Sequence, residues 1–175
     1  MAALLWTYAE QQTIKPISAN QAQAYFNQLA EEVQVEDLQK LIGFRFYQDI
    51  IQNPATTANA ALLDGGSYVG GDGVTYFYEG LKHVLAYFLF ARYIKVSYKK
   101  DTYGGFVKKN FEESNQINKG SESDYHNDFR KIAFKYWEEC ECFIKNNSTD
   151  YPYYYSDPPT RSCWPGDNYN RSFCF

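Results

Sequence analysis

A mainly α-helical fold, a bundle of about four helices with a small β-hairpin insertion and extended N- and C-terminal arms, follows from three features of the sequence. LKHVLAYFLFARYIKVSY, residues 81–98, is apolar or aromatic at 13 of 18 positions. A helix apolar on all sides must be enclosed by others. Tyr125, Phe129, Ile132, Ala133, Tyr136, Trp137, Cys140 and Phe143 recur every three or four residues, the mark of an amphipathic helix from about Asp124 to Lys145. Between the early helices and these two, residues 65–73 carry five glycines in nine positions, flanked by β-prone residues.

Taken in order, residues 1–17 show no clear period and read as an N-terminal arm. Ser18, with Gln21 three residues on, has the form of a capping box for a first helix through about Val33. A second helix, from about Val35 to Asn53, carries Leu38, Leu41, Ile42, Phe46 and Ile50 on one face, and Pro54 follows it. Residues 55–62 are small and read as a connector.

The glycine segment, ALLDGGSYVGGDGVTYFYEGLK, precedes an apolar helix, which raises the question of a phosphate cradle. A Walker loop needs Lys and Ser or Thr after its second glycine; here Asp72 and Gly73 follow Gly71, and the Asp would repel phosphate. A dinucleotide pattern fails because Tyr76 stands at the third glycine position. A calcium nonapeptide repeat fails at Thr75 and does not recur, and Asp64-Gly65-Gly66 lacks alternating oxygen ligands. A hairpin fits: Ser67-Tyr68-Val69 and Val74 to Tyr78 are strand-prone, and Gly70-Gly71-Asp72-Gly73 supplies a tight reversal. A lone hairpin is marginal in water, so it lies on the bundle or serves as an assembly contact through Tyr68, Val69, Val74 and Tyr76.

Residues 101–119 are polar, with Gly104 and Gly105, and read as a long loop or loose hairpin. Asn146 and Asn147 read as a helix stop. Residues 148–175, STDYPYYYSDPPTRSCWPGDNYNRSFCF, contain no Ala, Val, Ile, Leu or Met but eight aromatics, four prolines and two arginines. Such a segment builds no core of its own and reads as an extended aromatic arm, laid into grooves of a partner or back over its own bundle. Tyr153, Tyr155, Arg161, Trp164, Arg171 and Phe173 are its expected anchors. Truncation after Asn147 is then expected to weaken docking and leave the bundle folded.

Composition narrows the function classes. The net charge is −4, which favours neither nucleic acid nor an anionic membrane. Aromatics make up 19%, with 17 Tyr and 13 Phe against one Met, which points to contacts beyond a single core, or to a compositional bias of the source. The N-terminus lacks a basic n-region, and Lys82, His83, Arg92 and Lys95 interrupt the longest apolar run, so neither a signal peptide nor a membrane span is expected. Cys140 and Cys142, two apart on a helix, suit neither zinc nor a mutual disulfide; Cys163 and Cys174 could pair. Without a leader, all four cysteines read as reduced.

Catalytic candidates are weak. His83 sits in the most apolar helix and reads as a satisfied core or interface residue. His126, near Asp124 and Asp128, reads as part of a solvated face. Glu112 with Glu113, and Glu138, Glu139 and Glu141, read as solvated acidic runs, and Lys99, Lys100, Lys108 and Lys109 form only a modest basic cluster. No catalytic, cofactor-binding or metal-ligating residue is singled out, and no cofactor is expected.

The runs DLQKLIGFRFYQDII, ALLDGGSYVGGDGVTYFYEGLKHVLAYFLFARYI and YHNDFRKIAFKYWEECECFI together resemble head-to-tail connector proteins (ring, adaptor or head-completion proteins) of tailed bacteriophages, of the crAss-like phage type. The resemblance spans roughly residues 14–146 and rests on pattern, not on a catalytic signature. It implies a structural virion protein without chemistry of its own. It would form a ring, of 12 copies in the wider family, in the neck between capsid and tail. The implied partners are its own copies, the portal protein, neighbouring ring or tail proteins, and DNA passing through the lumen without specific binding; no membrane is involved. Assembly would take place in the host cytoplasm. Two rivals are a secreted aromatic-rich binding module without catalysis, which a disulfide would favour, and a small enzyme with its site around His83.

Overall fold

The computed structural model describes residues 3–18, 23–97, 99–102, 105–108 and 119–156, with side chains over 3–18, 23–96 and 123–154. The chain is mainly helical, with a small antiparallel hairpin, as expected. Helix α1 is Tyr8–Ile14, and α2 is Gln23–Val33, which runs through a π-helical turn, Gln34–Leu38, into α3, Gln39–Ile42. Next come α4 (Phe44–Gln52) and α5 (Thr57–Asp64), then strands β1 (Gly66–Val69) and β2 (Thr75–Tyr78). Helix α6 is Leu81–Ser97; strands β3 (Lys99–Thr102) and β4 (Gly105–Lys108) follow, then α7 (Lys119–Asn146) and α8 (Pro152–Ser156).

Helix α6 is the enclosed element the sequence calls for. Leu81, Val84, Leu85, Ala86, Phe88, Leu89 and Ala91 are all at most 1% exposed. Helix α7 lies along it, presenting Ala133, Trp137, Cys140, Phe143 and Ile144, and α2 and the short helices α1 and α5 pack on other sides. Helix α7 ends at Asn146, and the Asn147 side-chain amide donates to the Phe143 carbonyl, so the asparagine pair does act as a stop.

Three boundaries differ from the sequence reading. The helix expected over 35–53 is interrupted at Gly43, whose φ of +83° is a conformation only glycine adopts without strain. Upstream there is no break near residue 34, because the π-helical turn carries α2 straight into α3. Its wider winding turns Gln34, Asp37 and Leu38 inward, all at most 1% exposed. Leu38, Ile42, Phe46 and Ile50 are buried, as that face requires. Residues 55–62, read as a connector, are mostly helix α5, capped by the Thr56 hydroxyl, which accepts from Asn59 N–H. Small residues let α5 approach closely, and its buried Asn59 donates to Asp49 Oδ2 (3.2 Å) and to the Asn53 carbonyl (3.0 Å). Of the capping box expected at Ser18 and Gln21, Gln21 lies outside the described residues.

The N-terminal segment lies on the bundle and contains a helix of its own. Thr7 and Glu10 form a reciprocal capping box. Leu5 and Trp6 are buried, and Trp6 meets Phe26 edge-on at 5.8 Å. Two buried glutamines tie this segment down. The Gln34 carboxamide accepts from Leu5 N–H (2.7 Å) and donates to the Ala3 carbonyl (3.2 Å), while Gln11 accepts from the Trp6 indole (3.0 Å) and donates to the Lys15 carbonyl (2.7 Å). The Lys15 ammonium sits 4.7 Å from the Phe90 ring centroid and 4.6 Å from that of Phe129, a cation–π clamp onto α6 and α7.

The C-terminal arm likewise begins later than 148. Tyr151 and Tyr154 are core residues, 2% and 5% exposed. Tyr151 donates to the Ala58 carbonyl (2.6 Å), Tyr154 to Glu141 (2.7 Å), and both rings pack edge-on against Phe46. The anchoring is on the chain's own bundle up to Tyr154. The cysteines need correction too: Cys140 is a free, buried thiol, whereas Cys142 is disulfide-bonded, its partner lying outside the described residues. Spacing does keep Cys140 and Cys142 from pairing with each other, but it is silent on distant partners.

A single carboxylate joins the helices. Asp37, 2% exposed at its side chain, accepts from Arg92 Nε of α6 (2.8 Å) and Arg130 of α7 (2.9 Å), while Arg92 also reaches Glu32 at 3.8 Å. The Arg130 guanidinium lies 4.9 Å from the Phe88 ring centroid. Replacing Asp37 with Ala leaves two cations without their shared partner in a poorly hydrated site, and the expected loss is about 3 kcal/mol in urea unfolding at neutral pH. A change below about 1 kcal/mol would show the carboxylate to be dispensable.

His126, expected on a solvated face, is instead buried at 9% exposure. Burial holds its imidazole below the ordinary histidine range; Lys95 and Arg130 act in the same direction, against the Asn127 hydrogen bond and Asp37. The unfolded chain therefore takes up this proton first. Stability is complete above the ordinary histidine pKa of about 6.5 and falls as the pH drops through that value toward the lower folded-state pKa. Thermal melts from neutral to mildly acid pH should show this slope, and His126→Gln should flatten it.

Candidate assembly surface

The β1–β2 hairpin pairs Gly66 with Tyr78, Ser67 with Phe77, Tyr68 with Tyr76 and Val69 with Thr75. Side chains alternate across a strand, so one face carries Tyr68, Tyr76 and Tyr78, and the other Ser67, Val69, Thr75 and Phe77. The tyrosine face turns toward the bundle. Tyr78 stacks on Phe143 of α7 at 4.2 Å and 16°, Tyr68 meets the same ring at 5.6 Å, and Tyr68 and Tyr76 stack on each other at 5.7 Å. Burial pushes the Tyr78 hydroxyl up to about 12. Phe143 in turn meets Tyr151, so the ladder runs from hairpin to α7 to the segment after it.

The root and tip of the hairpin are both fixed. At the root, Gly65 and Gly80 have φ of +82° and +83° and face each other; a Cβ on Gly65 would come within 2.5 Å of the Glu79 carbonyl carbon. Only glycine at both positions lets the chain enter and leave the hairpin side by side. At the tip, Asp72 accepts from Val74 N–H (2.9 Å) and from the Tyr76 hydroxyl (2.6 Å), which holds its carboxyl below the usual range. Asn146 of α7 donates to the Val69 carbonyl (3.1 Å).

Of the four hairpin residues expected at an interface, Val69 and Val74 are outward, 60% and 51% exposed. Tyr68 and Tyr76 are not: both belong to the inward face, with Tyr68 against Phe143 and Tyr76 spent on Tyr68 and Asp72. The largest outward residue is one the sequence reading passed over, Phe77 at 78% exposure. Its alternation with Tyr76 and Tyr78 was the available signal. Of the expected arm anchors, Tyr153 is exposed beside Arg45, whose guanidinium lies 6.0 Å from its ring centroid. Tyr155 is described in its backbone alone, within α8, and Arg161, Trp164, Arg171 and Phe173 lie outside the described residues.

His83 lies beside an open cleft of about 320 Å³, lined by Ala9, Thr13, Ile14, Glu10, Asp64 and Lys82. Lys82 is held between Glu10 and Asp64 at 2.6 Å each. His83 Nδ1 donates to the Glu79 carbonyl at 2.8 Å, the i−4 carbonyl of its own segment. The cleft's charges are thus already committed to one another. Burial raises the Cys140 thiol, which keeps it protonated and unreactive. Among the described residues, no group of three or more His, Cys, Asp or Glu side chains could hold a metal ion, and no helix is long and apolar enough to cross a membrane.

The chain belongs to a family of unknown function, DUF6712, whose model matches residues 38–163. The match takes in Leu38 at the end of the π-helical turn, the glycine hairpin, α6, α7 and α8, and leaves α1 and α2 outside. No curated protein and no solved structure matches the chain.

The position of Tyr151 and Tyr154 reverses the expected effect of cutting the chain after Asn147. Removal of two buried tyrosines from contact with Phe46 should cost several kcal/mol, of the order seen for large aromatic truncations in cores. A chain ending at Asn147 should melt well below one ending at Ser156 in calorimetry. Equal melting of the two would place the tyrosine pair outside the stabilising core.

Proposed function

We propose that this member of the DUF6712 family is a structural virion protein that forms a ring in the neck of a tailed phage, joining the capsid portal to the tail and letting DNA pass. One observation carries the reading. The hairpin is held fixed against the bundle: its inner face is filled by stacked rings, its root by facing glycines, its tip by Asp72, and its outer face leaves Val69, Val74 and Phe77 in water. Apolar groups held rigid at the surface lose little entropy on docking, which is what a repeated subunit contact needs. A ring requires head-to-tail contacts between unlike faces of one chain. The resemblance to head-to-tail connectors supports the reading, and the committed charges of the His83 cleft favour it over catalysis. Its partners would be its own copies, the portal, neighbouring ring or tail proteins, and the passing DNA.

A second reading, a secreted aromatic-rich binding module without catalysis, is favoured by the disulfide at Cys142, since such bonds persist in oxidising compartments. Thiol counting on native material separates the two. A free Cys142 removes the support for export, and an oxidised one retains it.

The deciding measurement is native mass with negative-stain imaging of the complex this chain forms in its source. The expected result is a ring seated on a portal-like or tail-like partner. A monomer that never occurs in particles overturns the neck reading.

A further inference from the structure

A lysine ordinarily keeps its ammonium in water or beside a carboxylate. Lys15 turns its own toward rings. The ammonium lies 4.6 Å from the ring centroid of Phe129, 4.7 Å from that of Phe90 and 5.9 Å from that of Tyr87. Among the described residues no ion pair holds it.

The rings are placed by helix packing, not by the cation. Tyr87 and Phe90 are three apart on α6 and share a face, and Phe129 reaches them from α7. Phe129 meets Phe90 edge-on at 4.7 Å and lies 6.4 Å from Tyr87. Tyr136, 5.2 Å from Tyr87, and Tyr93, 6.1 Å from Phe90, extend the row at its two ends. All five rings are half-buried, so the row is open to solvent along one side.

The negative faces of several rings around one point are what recognises an alkylammonium group. A primary ammonium is not the best occupant of such a place. It is compact and strongly hydrated, and its three N–H donors find no acceptor oxygen on Phe90 or Phe129. A quaternary ammonium carries the same charge, has no donor to satisfy, and gains from burying its methyl groups against the rings.

We propose that Tyr87, Phe90 and Phe129 form a binding site for quaternary ammonium compounds of the choline type, in which Lys15 is a tethered resident that the ligand displaces. The tether keeps the resident's local concentration high, so the ligand binds the whole chain more weakly than it binds the bare cage. It also couples the site to the N-terminal segment. Lys15 ends α1, and its carbonyl accepts from Gln11 (2.7 Å), the side chain that also holds the Trp6 indole. Entry of a ligand loosens this end of the segment, while Gln34 still holds the other end at Ala3 and Leu5. The three cage rings fall inside the family match over residues 38–163, and Lys15 lies before it. The site is the same whether the chain stands in a ring or alone.

The test uses the full chain and an NMR titration with choline, beside its neutral isostere in which a carbon replaces the nitrogen. Lys15→Gln should bind choline at least about tenfold more tightly than wild type, because the tethered competitor is gone. Phe129→Leu added to Lys15→Gln should abolish that binding, and the neutral isostere should bind Lys15→Gln at least about tenfold more weakly than choline does. Far-UV circular dichroism checks folding; if the variant with Phe129→Leu is not native, Phe90→Leu takes its place. The proposal is overturned if choline does not bind Lys15→Gln, if it binds wild type and Lys15→Gln alike, or if loss of the ring leaves binding unchanged. Equal binding of the neutral isostere also overturns it, since the site would then be a plain apolar hollow.

Discussion

Asp37 is the point on which the bundle's geometry turns. Its carboxylate receives Arg92 from α6 and Arg130 from α7, so the π-helical turn and the two longest helices meet at one buried charge. Apolar packing alone lets helices slide along ridges and grooves at small cost, whereas a carboxylate with two guanidinium partners does so only at one register. The π-helical winding puts Asp37 there, and the same winding brings Gln34 inward to hold the N-terminal segment. Registration of α7 against α6 in turn sets the height of Phe143. That ring decides where the first hairpin and Tyr151 can pack.

Much of this was visible as pattern. An all-round-apolar helix announced α6, a three-to-four repeat announced α7, and glycines between β-prone residues announced the first hairpin. What escaped was consistently held by polar groups with distant partners. Gln11 and Asn59 look like surface residues in any local window, so α1 and α5 read as an arm and a connector. Their partners are set by the folded chain: Gln11 reaches the Ala86 carbonyl on α6, and Asn59 reaches Asp49 on α4. Tyr151 and Tyr154 escaped for a related reason. A segment without aliphatics builds no core alone, but tyrosine can complete another core while its hydroxyl finds an acceptor, here Ala58 and Glu141.

The candidate surface was half legible. Which residues form the hairpin could be read from glycine spacing, but not which face of it meets the bundle. Tyrosines looked like interface residues because they are amphipathic, and three of them instead form the inner face, where Phe143 offers a ring to stack on. A period of two makes any such error complete: once Tyr68 and Tyr76 turn inward, Val69 and Phe77 must turn outward.

The first hairpin is clamped by its glycine root, by a ladder of rings and by the Asn146 bond, so its outward residues are set in place before any partner arrives. Docking of such a pre-shaped element keeps the ordering cost on its own side small. A contact through a few apolar residues is weak singly, which suits a subunit that should close into a ring only where other subunits are already in place.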